Sequence, residues 1–437
     1  MPLRDIFVTA VVFIALPFIL SRPYIGIYLW SWLGYMNPHR LSWGFAYDFQ
    51  FALIVGIVTL VAFVFSREPK KMPWTRETIV LLLFIAWMLF TTMFALHPEL
   101  AWLQLEKVVK IQVMIFLTII LINTRQKLEW LVLIIALSLG FYGVKGGIFT
   151  IVHGGVYRVQ GPFGTFIGGN NEMALALIMA IPLIWYLHLT AKKAWLRHGY
   201  TAALFLSAIA VIGSQSRGAL VGGVVMGTFL WLKTRNKMFT GLVMALAVAA
   251  ILAIMPAAWL ERMSTIQNYE QDTSSLGRIN AWWTGYNLAK DRVTGGGFEA
   301  FLPDVFQIYA PEPDRVHDVH SIYFEVLGEH GFIGLALFLL LAWLTWRTGA
   351  RITRETRGDP ERKWAGDLAR MIQVSMIGYA SAGAFLGLAY FDFYYHLVAM
   401  MVVTGMIALK QTENLSTKPV HQLSRTVRPL VRHSRDA

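Results

Sequence analysis

Thr78-Ile-Val-Leu-Leu-Leu-Phe-Ile-Ala-Trp-Met-Leu-Phe-Thr-Thr-Met-Phe-Ala95 carries no charged side chain, and Arg67, Lys70, Lys71 and Arg76 stand just before it. A hydrocarbon core about 30 Å thick is crossed by roughly 20 helical residues, which this run approaches. Water is not there to pair its backbone groups, so it must be a helix. The absence of period-two alternation argues against a barrel strand. Val113–Ile122, Met238–Trp259 and Ile333–Trp346 lie in blocks of the same kind. The whole chain agrees: of 437 residues 56% are apolar and 15% charged, with a mean hydropathy of +0.53. A water-soluble chain of this length would form several domains and carry more charge. The first block, Ile6–Leu20, lacks a small-residue cleavage site and runs into Arg22-Pro23, so it reads as a retained helix.

The net charge of +12 could suggest nucleic acid, but its placement does not. Arg67 to Arg76, Arg125 with Lys127, Lys192 to Arg197, Lys233 to Lys237 and Arg347 to Lys363 fall in alternate loops. That is the pattern of cytoplasmic loops in a multispanning protein. The intervening segments then face outward: Met36–Asp48, Leu96–Leu100, Gly146–Asn170, Ser214–Arg217 and Glu261–Val319. Ile6–Leu20 and Tyr24–Met36 are both short, so about 12 spans are expected, or about 13 if both cross. The expected fold is all-α and polytopic, with a long, partly helical periplasmic loop. It divides into transmembrane helices over 1–260, the loop over 261–319, further transmembrane helices over 320–411 and a disordered basic cytoplasmic tail over 412–437.

The absence of cysteine excludes disulfides, thiolate zinc sites and a cysteine nucleophile. The sequence contains no P-loop, dinucleotide fingerprint or metal-type histidine pair, and Gly295-Gly296-Gly297 lacks the strand-to-helix context of a phosphate loop. The outward side, where arginine is usually sparse, carries Arg158, Arg217, Arg278 and Arg315. Arg217, in Gly213-Ser214-Gln215-Ser216-Arg217-Gly218, has almost no loop around it and should sit near the membrane plane, where a cation is costly. A snorkelling arginine is the plain alternative. In Ser275-Leu276-Gly277-Arg278-Ile279-Asn280-Ala281-Trp282, Ser275 is expected to cap a helix on which Arg278 and Trp282 share a face. His320 opens a run into an apolar block, and neither Glu325 nor Glu329 falls on its face. Glu106 and Lys110 are spaced to pair with each other.

A long outward loop, the Ser275-x-x-Arg278-x-x-x-Trp282 element, Gly296-Gly297-Phe298 and then His320-Ser321 before a span resemble the O-antigen ligase / Wzy polymerase superfamily. Ser216-Arg217-Gly218 fits the same pattern. Arg22-Pro-Tyr-Ile-Gly, Met36-Asn-Pro-His-Arg and Gly168-Gly-Asn-Asn-Glu resemble its O-glycosylation ligase branch associated with exosortase systems. The resemblance implies transfer of a glycan from undecaprenyl diphosphate to an acceptor hydroxyl, on lipid A core or a similar molecule, at the periplasmic face of the bacterial inner membrane. No cofactor, metal or nucleic acid is implied. Arg217 and Arg278, with Arg158 as a third candidate, would hold the diphosphate, Ser216 and Trp282 would line the donor site, and His320 would be the base of an inverting displacement. A polymerase using the same donor is the nearer alternative, and a lipid-linked glycan transporter the more remote one.

Overall fold

The computed structural model describes residues 2–233, 236–238, 241–242, 244–246, 249, 255–264 and 273–416. Among them the chain is helical throughout, without strands, so the expected all-α membrane fold holds. Part of the expected span Met238–Trp259 and the tail from 417 lie outside the described residues. In chain order the helices are α1 Leu3–Ser21, α2 Tyr24–Met36, α3 Phe51–Phe65, α4 Arg76–Met93, α5 Pro98–Leu121, α6 Arg125–Val152, α7 Asn170–Thr190 and α8 Ala194–Gly213. They continue as α9 Arg217–Lys233, α10 Ala257–Ser264, α11 Thr273–Asp291, α12 Pro303–Tyr309, α13 Ile322–Glu355, α14 Lys363–Ala382 and α15 Asp392–Ser416.

Seven of these, α1, α4, α6, α7, α8, α13 and α15, are long and apolar enough to cross a membrane, and α3 and α9 are apolar but shorter. Burial sorts them into layers. The apolar window is 83% buried in α15 and 72% in α7, against 22% in α1 and α8. The first pair forms the centre of the bundle, and the second turns its apolar surface outward, as lipid allows. Small residues bring helices together where no hydrophobic force from water can act. A Cβ on Gly147 would lie 2.2 Å from the Leu206 carbonyl oxygen, and one on Gly143 would lie 2.0 Å from Ser207 Oγ, so α6 and α8 meet at backbone distance. The Glu106–Lys110 pair on α5 is formed, at 2.5 Å on an exposed face.

The loops gather at the two ends as the charge pattern requires. At one end Leu96 N donates to Gly296 O (2.8 Å), Val159 N to Gly213 O (3.0 Å) and Asn170 Nδ2 to Ser214 O (2.9 Å). At the other, Lys127 pairs with Glu68 at 3.0 Å and Arg125 lies over Trp364. Arg4 donates to Leu41 O at 2.8 Å and stacks on Trp43, which puts the start of α1 at the end that holds residues 36–48. Thus α1 and α2 run in opposite directions and meet at Arg22-Pro23.

Whereas α10 packs on α8 and α9 through Trp259, which donates to Ile212 O at 3.2 Å, the outer segment of α11 and α12 rests on the head of α13. Its glycines make this possible: Gly296 N donates to Gly328 O (2.8 Å) and Gly297 N to Glu329 O (2.9 Å). Gly331 has φ +66°, so α13 is broken there, and a Cβ at that position would sit 2.2 Å from the Val293 carbonyl oxygen. The Ile322–His330 portion is therefore a separate stub that carries the outer segment.

Candidate active site

The turn between α8 and α9 is fixed at every residue. Gly213 packs so closely on α6 that a Cβ would meet Thr150 Oγ1 at 1.9 Å. Gln215 takes φ +57° and its amide donates to Gly155 O (3.0 Å) and Val156 O (3.2 Å). Ser216 is buried, and its hydroxyl accepts from Ala219 N at 3.2 Å, which makes it the N-cap of α9. Arg217 is thus the first residue of α9, beside the positive end of that helix dipole. Ser216, expected to line the donor site, is buried and holds the turn from which Arg217 starts.

Arg278 approaches from α11. That helix is already formed at Thr273, so Ser275 is an interior residue and not the expected cap. Arg278, Ser275 and Trp282 face a cavity of about 280 Å³, whose other wall is Arg217, Val221 and Phe385. The two arginines that the sequence singled out therefore share one cavity, although they come from different helices. Trp282 closes its inner side: the indole donates to Val319 O at 2.8 Å and stacks on Phe324, 5.2 Å away and 6° from parallel. Arg158 is exposed and outside this cavity, one residue from the Val159–Gly213 contact. Arg315 pairs with Glu312 at 3.0 Å.

The other face of α11 holds the chain that leads to His320. Asn280 Nδ2 donates to Glu312 O (2.8 Å) and Arg315 O (2.9 Å), and its carbonyl accepts from Glu312 N (2.9 Å). His317 lies over Gly277, where a Cβ would come within 2.7 Å of the ring. His320 precedes α13, with Ser321 between them as an N-cap without a side-chain bond. Its φ of +43° is left-handed, which turns the ring back along the chain. Nδ1 lies 2.8 Å from Asp318 Oδ2, and the ring meets that of His317 edge-on at 5.4 Å. Partial loss of solvent works to raise the Asp318 pKa, but the neighbouring His320 ring, with two backbone donors, holds it below the ordinary carboxylate range. Asp318 was absent from the sequence-based candidates. The Asp-x-His spacing is visible, but only the left-handed turn brings the two side chains together.

Behind this wall lies a second cavity of about 460 Å³ with opposite character. Glu299, Asp318, Glu325 and Glu329 line it together with the rings of Phe301 and Tyr390. Glu325 accepts from Ala389 N (2.9 Å), and Glu329 from Glu299 N (2.8 Å) and the Tyr390 hydroxyl. His317 also borders this cavity. His330 does not: it is fully buried, with Nδ1 2.7 Å from Thr91 Oγ1. Residues 316–319 face the acidic cavity, and Trp282, bonded to Val319, faces the cationic one, so the two share a wall at whose end His320 stands.

Residues 3–192 match a family of unknown function, DUF5935, and residues 202–339 match the family described as O-Antigen ligase. No curated protein matches the chain. The second match contains Arg217, Arg278, Trp282, Asp318 and His320, whereas Arg158 falls in the first. The match over residues 202–339 supports the resemblance to the O-antigen ligase / Wzy superfamily.

Proposed function

We propose that this protein is a ligase-type glycosyltransferase of the bacterial inner membrane, with about 13 spans, a cytoplasmic C-terminus and a periplasmic active site. It takes a glycan from undecaprenyl diphosphate and joins it to an acceptor hydroxyl. The observation that carries this reading is the pairing of Arg217 and Arg278 in one cavity whose wall residue Trp282 bonds Val319, the residue between Asp318 and His320. Guanidinium forks match diphosphate oxygens and remain charged at any physiological pH. The diphosphate occupies the cationic cavity, with Trp282 as its inner wall. Asp318, 2.8 Å from Nδ1, orients the His320 ring and leaves Nε2 as the accepting nitrogen. The acceptor hydroxyl gives its proton to Nε2 as its oxygen attacks the anomeric carbon. The bond from that carbon to the diphosphate breaks on the opposite face, and the arginines stabilise the departing charge. Configuration inverts.

The acceptor approaches from the acidic cavity. Carboxylates accept hydrogen bonds from sugar hydroxyls, and aromatic rings cover their apolar faces. Asp318, whose carboxyl is held below the ordinary range, repels the donor's diphosphate and helps to keep the two substrates apart. Transfer by the purified full chain tests the site. Arg217→Ala and Arg278→Ala are each expected to lower the rate about 10²-fold or more, the cost of losing one preorganised donor to a developing charge. Arg158→Ala, outside the cavity, is expected to retain most activity. Wild-type transfer by both Arg217→Ala and Arg278→Ala rejects the diphosphate site.

A further inference from the structure

The basic end of the molecule holds a cavity of about 870 Å³, larger than either cavity at the outward end. It lies where the last turns of α9 and α13 meet the first turns of α14. Its walls divide by polarity. Phe229, Trp346, Met371 and Val374 form the side toward the middle of the bundle, and Arg354, Arg357, Lys363 and Arg370 form the rim. Nearby carboxylates are already engaged: Asp367 with Arg370 (2.6 Å) and Asp359 with Arg362 (2.6 Å). Arg354 and Arg357 make no side-chain ion pair among the described residues, although Arg351 on the same helix pairs with Glu355 at 2.7 Å. One polar atom deeper in the wall also points to a ligand. Thr345 and Thr356 spend their hydroxyls on the carbonyls of Leu341 and Ile352, whereas the buried Thr353 Oγ1 has no hydrogen-bond partner among the described residues. The α14 N-terminus, which lacks a side-chain cap, adds its positive dipole end.

We infer that this cavity binds the phosphodiester headgroup of an anionic phospholipid, with an acyl chain along the Phe229–Trp346 side. The chemistry is that of a phosphate anion: two guanidinium groups without an ion pair, a helix N-terminus and the side chain of Thr353 line one cavity. A free phosphate would satisfy the rim but would leave the apolar side uncovered, and a neutral lipid would leave the arginines without a counter-ion. A surface that merely attracts anionic membrane would not require a walled cavity.

Native mass spectrometry of the full chain in detergent, titrated with dioleoyl phosphatidylglycerol, dioleoyl phosphatidylcholine or inorganic phosphate, tests this site. Phosphatidylglycerol is expected to bind the wild type and to be retained when inorganic phosphate is added, while phosphatidylcholine is not retained. Arg354→Gln with Arg357→Gln is expected to weaken phosphatidylglycerol about tenfold or more, at roughly 1 kcal/mol per basic residue near a headgroup. Because neither side chain is ion-paired, the unliganded melting temperature should not change. Arg347→Gln with Arg351→Gln removes the same charge outside the cavity and is expected to bind within about twofold of wild type. Equal losses in the two double variants, no loss in the first, or displacement of the lipid by inorganic phosphate would each overturn the assignment.

Discussion

Asp318 and His320 stand two residues apart, and their 2.8 Å contact exists because His320 takes a left-handed φ. From sequence, His320 reads as the opening of a helix, with neither Glu325 nor Glu329 on its face and no partner evident. Those carboxylates bond Ala389, Glu299 and Tyr390. A single backbone dihedral, which no hydrophobic pattern encodes, sends the ring backward to Asp318. The arginines were more legible, because a cation at the outward membrane face is costly and invites explanation. Asp318→Asn keeps the shape but removes the charge that orients and supports the imidazole. Transfer is expected to fall about 10²-fold or more, with donor affinity within about twofold of wild type. A rate unchanged from wild type contradicts the couple. The depressed Asp318 pKa fixes the pH dependence of its contribution to stability. That contribution is complete above the ordinary value of 3.8 and is lost as pH falls through the lower folded value. The difference in melting temperature between the wild type and Asp318→Asn should therefore shrink as pH falls below about 4, where the Asp318 carboxyl takes up its proton. A wild-type contribution already lost at about pH 5 would contradict the depressed value.

At the scale of elements, α11 does two things with two faces. Arg278 and Trp282 look into the donor cavity, and Asn280 anchors residues 312–315 behind it. The shared face of Arg278 and Trp282 was legible from their four-residue spacing. The beginning of the helix was not: Ser275 has the chemistry of a cap, but the preceding residues are already helical. The break at Gly331 was equally hidden, because the close approach of Val293 that requires it comes from a distant part of the chain. Asn280→Ala removes three hydrogen bonds and leaves backbone groups of the 312–315 segment unpaired. It is expected to destabilise the protein by about 1–3 kcal/mol and to reduce transfer by displacing the wall that carries His317 to His320. Asn280→Asp, which keeps the acceptor for Glu312 N, should fall between. Full activity in Asn280→Ala would show that this wall is held by other means.

For the whole molecule, the charge pattern assigned loops to two ends, and the contacts gather them as assigned. Among the described residues the apolar blocks are helices, and the segment 273–319 covers the end that holds Leu96 and the turn at Arg217. Layering within the bundle was not legible, because continuous apolarity looks the same in a buried helix such as α7 and in a lipid-facing one such as α1. The opposite directions of α1 and α2 came from a polar contact, Arg4 with Leu41, that hydropathy does not register. Orientation can be tested directly with single cysteines in a chain that has none. Gln307→Cys is expected to react with a membrane-impermeant thiol reagent in intact spheroplasts, and Arg357→Cys only after lysis. The reverse pattern would put the proposed site in the cytoplasm and remove the basis for the mechanism.

The central claim is that His320 accepts the proton while Arg217 and Arg278 hold the diphosphate. Its most direct test supplies undecaprenyl diphosphate-linked glycan and a hydroxyl-bearing saccharide acceptor to the purified full chain and measures transfer and donor binding side by side. Loss of a general base typically costs about 10²- to 10⁴-fold in rate. His320→Ala is expected to lose transfer by that factor and still bind donor, while His317→Ala and His330→Ala retain most of the rate. Transfer at the wild-type rate by His320→Ala would contradict the account.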